Sequence, residues 1–447
     1  MNQTEELIDY LYSLRDITFP EKITNQVKRC LLDYLGATFA GTKLIREKEE
    51  KFLKFNQNIE NTITAIGLNQ KTDIYTATLI NGLSSHVAEL DDGIRYGAIH
   101  PGSPIFSALL PLAEKEKVSG KEFITATVIA YEVAILISSS IQPSHYNKGF
   151  HPTATCGAIG AAVGIAILLG YNKKQLKDTF SAVAISASGS LKVIEDGAEL
   201  KPFNAGRGAL IGLISAITAG CSFSGPEDVL SGDTGFFAMM ANEHQLHIPN
   251  ENHDFFIEKI YVKPYAACRH AHPSIEAVLK IKTKADLNIE DIKAITIITY
   301  KGVIGKHDTK IISSIFSAKM SIPFGVAVAL KEGKADINQF SELNINDNQI
   351  QSLINKINII PDDELSSLVP HKRTAIVKIE TNNNKSFSER VDFPKGEPEN
   401  AMSDYEIKEK FRSLAKFAGK NDEICSEIIH NVWNLENNFN RLLQYLK

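Results

Sequence analysis

The chain has 447 residues, of which 43% are hydrophobic, and its 53 acidic residues slightly outnumber its 48 basic residues. This length is too great for one compact core, so we expect two domains. The formal charge of -5 comes without a basic tail or a long charge block, and nucleic-acid binding requires clustered positive charge, so no nucleic-acid partner is expected.

The first residues, MNQTEELIDYLYSLRDITFP, are acidic and amphipathic, whereas an export signal is basic and then apolar. We therefore expect a cytoplasmic protein. Its five cysteines are scattered along the chain, which favours reduced thiols over a disulfide framework. They form no CxxC pair, so zinc and iron–sulfur sites lack their usual ligand spacing and no metal is expected.

Up to about residue 262 the pattern is helical, with long apolar-periodic segments separated by Gly, Pro and Asn. Residues 153–170 are uncharged and nearly long enough to span a membrane. Their small residues, and similar runs at residues 125–139 and 208–220, instead favour helices packed closely in a soluble bundle. No membrane partner is expected.

The pattern changes after residue 263. Two stretches are β-rich, at residues 292–305 and 374–393, and the second predicts a hairpin around NNNK. Helical runs at residues 322–331 and 346–357 lie between them, which indicates a small α+β domain. Helix returns from residue 403 onward. The predicted fold is mainly α: a large all-helical domain, residues 1–264 completed by 396–447, with an inserted α+β domain at residues 265–395.

The segment HVAELDDGIRYGAIHPGSP places Glu89, Asp91, Asp92 and His100 between two helical runs. Carboxylates beside a histidine form an acid/base set, because each group tunes the proton affinity of the other. A helix end with a solvated acidic face explains the same pattern equally well. The alternating acidic ligands of a calcium loop are absent.

Two further segments precede Gly- and Ala-rich helices. In KGFHPTATCGAIGAA, His151 stands at a helix start, where unpaired N–H groups suit a substrate carboxylate. Its glycines lack the spacing of a nucleotide fingerprint. In ELKPFNAGRGAL, Lys201 and Arg207 flank a helix entrance, an arrangement that also suits a carboxylate.

The fourth segment, YVKPYAACRHAHPSIEAV, carries Lys263, Cys268, Arg269, His270 and His272 at the proposed domain junction. The two histidines could be half of a metal site, but the sequence offers no further ligands at a typical spacing. No catalytic-cysteine signature surrounds Cys268. Ordinary packing at a domain boundary is the alternative for all of them.

Taken together, and in this order, the four segments resemble the MmgE/PrpD family, and PKGEPENAMS resembles its closing motif. Members of that family include 2-methylcitrate dehydratase, cis-aconitate decarboxylase and iminodisuccinate epimerase. The resemblance covers residues 5–440. It implies a helical domain built from both chain ends, an inserted α+β lid, a homodimer, small di- or tricarboxylate substrates, and catalysis without metal, flavin or nicotinamide.

Residue by residue, the resemblance matches Glu89, Asp92, His100, His151, Lys201 and Lys263 to family positions. With the local chemistry described above, the predicted catalytic residues are His100, His151, Lys201, Lys263 and Asp92. The predicted substrate-binding residues are Glu89, Asp91, Arg207, Arg269 and His272. No cofactor-binding residue is predicted.

Three positions depart from the family pattern. Glu89 stands where relatives commonly have Asp, and Gly93 stands where many carry Thr. Phe324, in KMSIPFGVAVALKEG, replaces a Tyr that many relatives carry, the decarboxylase among them. The missing phenol removes a proton donor, which weakens the decarboxylase interpretation.

The leading hypothesis is therefore a dehydratase of a small hydroxy-polycarboxylate similar to 2-methylcitrate. A base removes the proton next to a carboxylate, and fixed positive charge stabilises the carbanion. His100 and His151 supply the base and the acid, and the sequence leaves open which does which. An epimerase or decarboxylase of a small polycarboxylate that uses the same site is the first alternative, and a non-catalytic polycarboxylate-binding protein is the second.

Overall fold

The computed structural model describes residues 2–55, 62–194, 198–250, 253–285 and 287–447. The chain divides into two compact units. The helical unit comprises Met1–Val193, Leu200–Tyr261 and Ser403–Lys447. The mixed unit comprises Ile194–Glu199 and Val262–Met402.

The helices and strands are, in chain order, α1 (Gln3–Ser13), α2 (Glu21–Phe55), β1 (Ile63–Ala65), β2 (Gln70–Thr72), α3 (Ile74–Val87), α4 (Gly102–Glu116), α5 (Gly120–Ile141), α6 (Ser144–Asn147), α7 (Pro152–Leu168), α8 (Lys173–Ser186), α9 (Lys201–Gly220), α10 (Phe236–Met240), α11 (His272–Lys284), β3 (Ile292–Thr299), α12 (Ile315–Met320), α13 (Ile322–Glu332), α14 (Glu342–Ile345), α15 (Asn348–Lys356), β4 (Ile357–Pro361), α16 (Asp363–Ser367), β5 (Ala375–Thr381), β6 (Ser386–Val391), α17 (Asp404–Phe417), α18 (Asp422–Trp433) and α19 (Leu435–Leu442). The predicted mainly α class is confirmed.

Small residues let the central helices of the helical unit approach closely. Where α3 meets α9, a Cβ added at Gly82 would lie 2.4 Å from the Cα of Gly206. Where α9 meets α7, a Cβ at Gly212 would lie 2.6 Å from the Cβ of Ala161. Real Cβ atoms do not approach other atoms so closely, so these crossings need glycine, as the small-residue pattern predicts.

Helix α5 is the one described segment that is long and apolar enough to cross a membrane, judged by length and composition. Of its most apolar window, 89% is buried inside the protein, where α5 packs against α7. Most of the uncharged run at residues 153–170 lies in α7, a shorter helix that ends at Leu168 and whose side chains are buried almost throughout. Its burial agrees with the predicted close packing of small-residue helices.

The mixed unit is built on a four-stranded sheet in the order β4-β3-β5-β6. Strand β3 pairs in parallel with β4 and antiparallel with β5, and β5 and β6 form the hairpin predicted from the sequence. Helix α11 packs against β5 and β6. Along β5 buried residues alternate with more exposed ones, the pattern of a strand that covers a core on one face.

One element differs from the all-helical expectation for the first part of the chain. Strands β1 and β2 form a two-stranded antiparallel hairpin in the helical unit. Gly67 and Asn69 turn the chain there with positive φ angles of 78° and 54°. Strands of three residues are too short to display a period-two pattern, which explains why the sequence does not reveal them.

Candidate active site

The loop between α3 and α4 carries most of the predicted acid/base residues. It begins with Glu89, which has a φ of +57°, a left-handed conformation that is costly for a residue with a side chain. The Glu89 carboxylate accepts a hydrogen bond from the ammonium group of Lys201 at the start of α9, and both side chains are buried. The ion pair therefore holds a strained backbone at a defined place.

Asp92 lies over the N-terminus of α4. One carboxylate oxygen accepts the backbone N–H of Gly102 at 3.0 Å, and the other accepts the Tyr131 hydroxyl at 2.7 Å. A Cβ at Gly102 would lie 2.9 Å from both oxygens, so glycine makes room for the carboxylate. Burial raises the pKa of Asp92 to about 7, although the Tyr131 hydrogen bond opposes the shift.

Asp91 connects two histidines. Its carboxylate oxygen Oδ2 lies 2.6 Å from Nδ1 of His86 and accepts the Ser103 hydroxyl at 3.0 Å. The same oxygen is 3.6 Å from Nδ1 of His100. The imidazole rings of His86 and His100 have centroids 5.2 Å apart, so a buried carboxylate faces two imidazoles.

The tautomer of His100 follows from its contacts. Its Nδ1 lies 2.6 Å from the backbone carbonyl of Asp92, and because a carbonyl can only accept, Nδ1 carries the hydrogen. In the neutral ring Nε2 then carries a lone pair. The His100 side chain is 15% exposed, whereas that of His86 is fully buried. His100 is therefore the more accessible of the two imidazoles.

His151 has the opposite tautomer. The side-chain nitrogen of Asn204 lies 3.2 Å from the backbone carbonyl of Ser190. Because a carbonyl can only accept, this contact fixes the orientation of the Asn204 amide. The same nitrogen lies 3.2 Å from Nδ1 of His151, so Nδ1 accepts and Nε2 carries the hydrogen. Burial, with the nearby charges of His86 and Lys201, holds the pKa of His151 well below its usual range. His151 is therefore a neutral N–H donor.

Six predicted residues come together in the helical unit: Glu89, Asp91, Asp92, His100, His151 and Lys201. The ring of His86 lies close to both predicted acid/base histidines. Its centroid is 5.2 Å from that of His100 and 5.9 Å from that of His151. Arg207 is half-buried on α9 and donates to Ser188, and burial lowers its pKa.

Three predicted residues belong to the mixed unit. The Lys263 side chain is fully buried. Arg269 forms a buried ion pair with Glu397. Nε2 of His272 lies 3.0 Å from the carbonyl oxygen of Ala267, so this nitrogen donates to the backbone. The substrate-binding roles of Arg269 and His272 stay predictions.

Sequence reasoning did not assign roles to His86, Tyr131 and Asn204, which contact or orient the predicted residues. His86 stands at the start of the first predicted segment and its proximity to the acidic pair is a usable signal. Tyr131 lies within the apolar helix α5, where no local pattern distinguishes it from a core aromatic. Asn204 stands three residues after Lys201 in the same segment.

Tyr261 is another unpredicted neighbour. Its ring packs edge-on against that of His100, with centroids 6.4 Å apart. The backbones of Gly93 and Tyr261 exchange two hydrogen bonds, of 3.1 and 2.8 Å. A Cβ at Gly93 would lie 2.4 Å from the Tyr261 hydroxyl oxygen, so glycine at this position is what admits the phenol beside His100.

Comparison with known families decides the relationship. The model of the MmgE/PrpD N-terminal domain matches residues 5–249, and the model of the MmgE/PrpD C-terminal domain matches residues 265–435. The chain belongs to the MmgE/PrpD family. This confirms the resemblance inferred from five sequence segments, and it makes this MmgE/PrpD protein a member of a family of enzymes.

Individual relatives of this MmgE/PrpD protein are distant but match it over nearly their full length. It is 23% identical to the cis-aconitate decarboxylase of Homo sapiens, over 97% of this chain and 92% of the relative. It is 24% identical to that of Aspergillus terreus, over 92% and 89%. It is 25% identical to the cis-aconitate decarboxylase-like protein oryM of Aspergillus oryzae, over 93% and 90%.

Proposed function

We propose that this protein is a lyase that acts on a small di- or tricarboxylate, and specifically a hydro-lyase of a hydroxy-polycarboxylate similar to 2-methylcitrate. Family membership supports the reaction class. The observation that carries the finer proposal is the pair of opposite tautomers, a lone pair on Nε2 of His100 and an N–H on Nε2 of His151. The first can take up the substrate proton and return it to the leaving hydroxyl, and the second can hydrogen-bond to the substrate carboxylate without giving up its proton.

In the proposed reaction, Nε2 of His100 takes the proton from the carbon next to a substrate carboxylate. The imidazolium that forms is stabilised by the Asp91 carboxylate, 3.6 Å from Nδ1, and by the Asp92 carbonyl. The carbon–oxygen bond at the neighbouring carbon then breaks. The departing hydroxyl takes the proton back from His100, so that water and a carbon–carbon double bond form and the neutral imidazole is restored.

His151 is too poor an acid to donate its proton, because a neutral imidazole would become an anion. Its Nε2–H instead donates a hydrogen bond to the substrate carboxylate, whose negative charge grows as the neighbouring proton leaves. The ammonium group of Lys201 lies close enough to lower the pKa of His151, so it acts on the same region. For Lys263 the proposal of a second catalytic cation rests on the family resemblance.

The buried carboxylates act as positioning groups in this proposal. Asp91 orients His86 and His100, and Asp92 fixes the start of α4 and presents its carbonyl to His100. Glu89 holds Lys201. Because their carboxylate oxygens are engaged by these contacts, we assign all three positioning roles.

Decarboxylation is the second candidate, and the named activity of the relatives favours it. The position where many relatives carry Tyr is Phe324, a fully buried residue whose ring packs against Phe340 with centroids 5.6 Å apart. It offers no phenol as a proton donor. Dehydration, which His100 serves as both base and acid, therefore remains the preferred reaction.

The test is incubation of the purified protein in D2O with 2-methylcitrate, citrate, cis-aconitate and iminodisuccinate, followed by NMR. Water loss from 2-methylcitrate or citrate supports the proposal. Carbon dioxide release from cis-aconitate instead establishes the decarboxylase, and deuterium uptake with inversion establishes the epimerase. Binding without turnover of any of these acids would contradict the lyase and favour a binding protein.

Variants then test the assigned groups. His100→Gln, His151→Ala, Lys201→Ala and Lys263→Ala should each lower kcat by about 100-fold or more without unfolding the protein. His430→Gln is the matched control, because His430 is exposed on α18. Full activity in any of the four variants removes that residue from the mechanism. A homodimer and a cytoplasmic location stay predictions, and light scattering of the purified protein tests the first.

A further inference from the structure

Three ligand-type side chains converge in the mixed unit. Cys268, His270 and His307 each direct one sulfur or nitrogen atom into a group whose members all lie within 4.8 Å of one another. Cys268 and His270 stand at the turn before α11, and His307 follows β3. Cys268 and His270 are partly exposed and His307 is buried, so solvent can reach the group.

The sequence suggested a different pair, His270 and His272, as half of a metal site. In the structure Nε2 of His272 lies 3.0 Å from the Ala267 carbonyl and donates to it, so this nitrogen offers no lone pair to a metal ion. His307 takes its place beside His270, with ring centroids 4.6 Å apart. A distant residue therefore completes a set that local spacing did not reveal.

Hydrogen bonds orient the two imidazoles. Nδ1 of His307 lies 3.0 Å from the backbone carbonyl of Met320, which can only accept, so the lone pair is on Nε2. Metal-binding histidines are typically oriented by a hydrogen bond of this kind. Nδ1 of His270 hydrogen-bonds to the Tyr300 hydroxyl.

Three positively charged side chains near His270 oppose the binding of a cation. Arg269, Lys306 and Arg373 all act on His270. Arg269 is offset by its buried ion pair with Glu397. Binding also converts the Cys268 thiol to a thiolate and releases its proton to solvent, which adds a negative charge at the site.

We propose that Cys268, His270 and His307 form a binding site for a thiophilic divalent cation of the zinc class. A Cys-His-His set is typical of zinc, and water completes the fourth position. In a tetrahedral site these ligand atoms lie about 3.3–3.6 Å apart, so side-chain rotation has to close them by about 1 Å. The bound ion would join the turn before α11 to the segment that follows β3.

Cobalt(II) is the probe, because a thiolate ligand gives it an intense near-ultraviolet absorption band and a tetrahedral site gives strong visible bands. One equivalent of Co2+ added to the metal-free, reduced protein should produce both, and Zn2+ should displace them. Cys268→Ser should abolish the near-ultraviolet band and weaken Zn2+ binding by about 100-fold or more. Tyr300→Phe should weaken it by about tenfold, because His270 loses its orienting partner.

Cys221→Ser is the matched control, since Cys221 is an exposed cysteine of the helical unit. It should leave the bands unchanged. The proposal is overturned if the wild-type protein develops no thiolate band. It is also overturned if the band persists in Cys268→Ser or is lost in Cys221→Ser. The readout is spectroscopic and does not depend on the proposed lyase activity, so either proposal can fail without the other.

Discussion

Asp92 provides the sharpest test of the candidate site, because its pKa of about 7 lies far above the value of about 3.9 for an aspartate in an unfolded chain. Between these two values the folded protein holds a proton that the unfolded chain has lost. The free energy of unfolding therefore falls as the pH rises from about 4 to about 7. The Asp92→Asn variant carries no ionisable group at this position, so its free energy of unfolding does not fall in this way.

The magnitude follows from the two pKa values. Ionisation of Asp92 in the unfolded chain lowers the free energy of unfolding of the wild type by about 1.5 kcal/mol at pH 5 and about 4 kcal/mol at pH 8. The difference in unfolding free energy between Asp92→Asn and the wild type should thus shift by about 2.5 kcal/mol in favour of the variant over this range. The burial of Asp92, which is 3% exposed, is the cause.

Urea unfolding at pH 5 and pH 8, followed by tryptophan fluorescence, measures this shift. Trp433 is the only tryptophan of the sequence and lies in the helical unit with Asp92. Glu122→Gln is the control. Hydrogen bonds from Ser119 lower the pKa of Glu122, so its contribution is lost only below pH 5, as the pH falls through the folded pKa. A pH-independent difference for Asp92→Asn would refute the reasoning.

Two further predictions concern the same site. Gly93→Ala should destabilise the helical unit by about 1–3 kcal/mol, because the new Cβ displaces the phenol of Tyr261. Gly302→Ala is the control and should have little effect, because its new Cβ would lie 3.4 Å from the nearest atom. Equal melting temperatures for the two variants would count against the close contact at Gly93. Asn204→Asp should reverse the tautomer of His151, because a carboxylate accepts a hydrogen bond where the amide nitrogen donates one. The variant should lower kcat by about 100-fold and raise the pKa of His151 seen in the pH–rate profile. An unchanged profile would contradict the assigned hydrogen bond.

Periodic segments were predictable because their pattern is local. The run at residues 322–331 forms α13 (Ile322–Glu332), and the β-rich stretch around NNNK forms the β5–β6 hairpin. Apolar periodicity and turn residues are sufficient for such elements. Strands β1 and β2 were not predictable, because three residues carry no periodic signal.

The residues of the site were predictable as types and positions, but their protonation was not. The tautomer of His100 depends on the carbonyl of Asp92, and that of His151 on an amide fixed by Ser190. These contacts join loops and helices whose approach the sequence does not encode locally. His307 illustrates the same limit, because nothing near it in the sequence indicates that it lies beside His270.

The contact between Gly82 and Gly206 has a consequence for engineering. Because the two backbones are already in contact, α3 and α9 cannot move closer together, and any larger residue at either position pushes on the loop that holds Glu89 and on the helix that begins with Lys201. Substrate range should therefore be altered by exchanging side chains around His100 and His151. Moving α3 and α9 apart would instead separate Glu89 from Lys201.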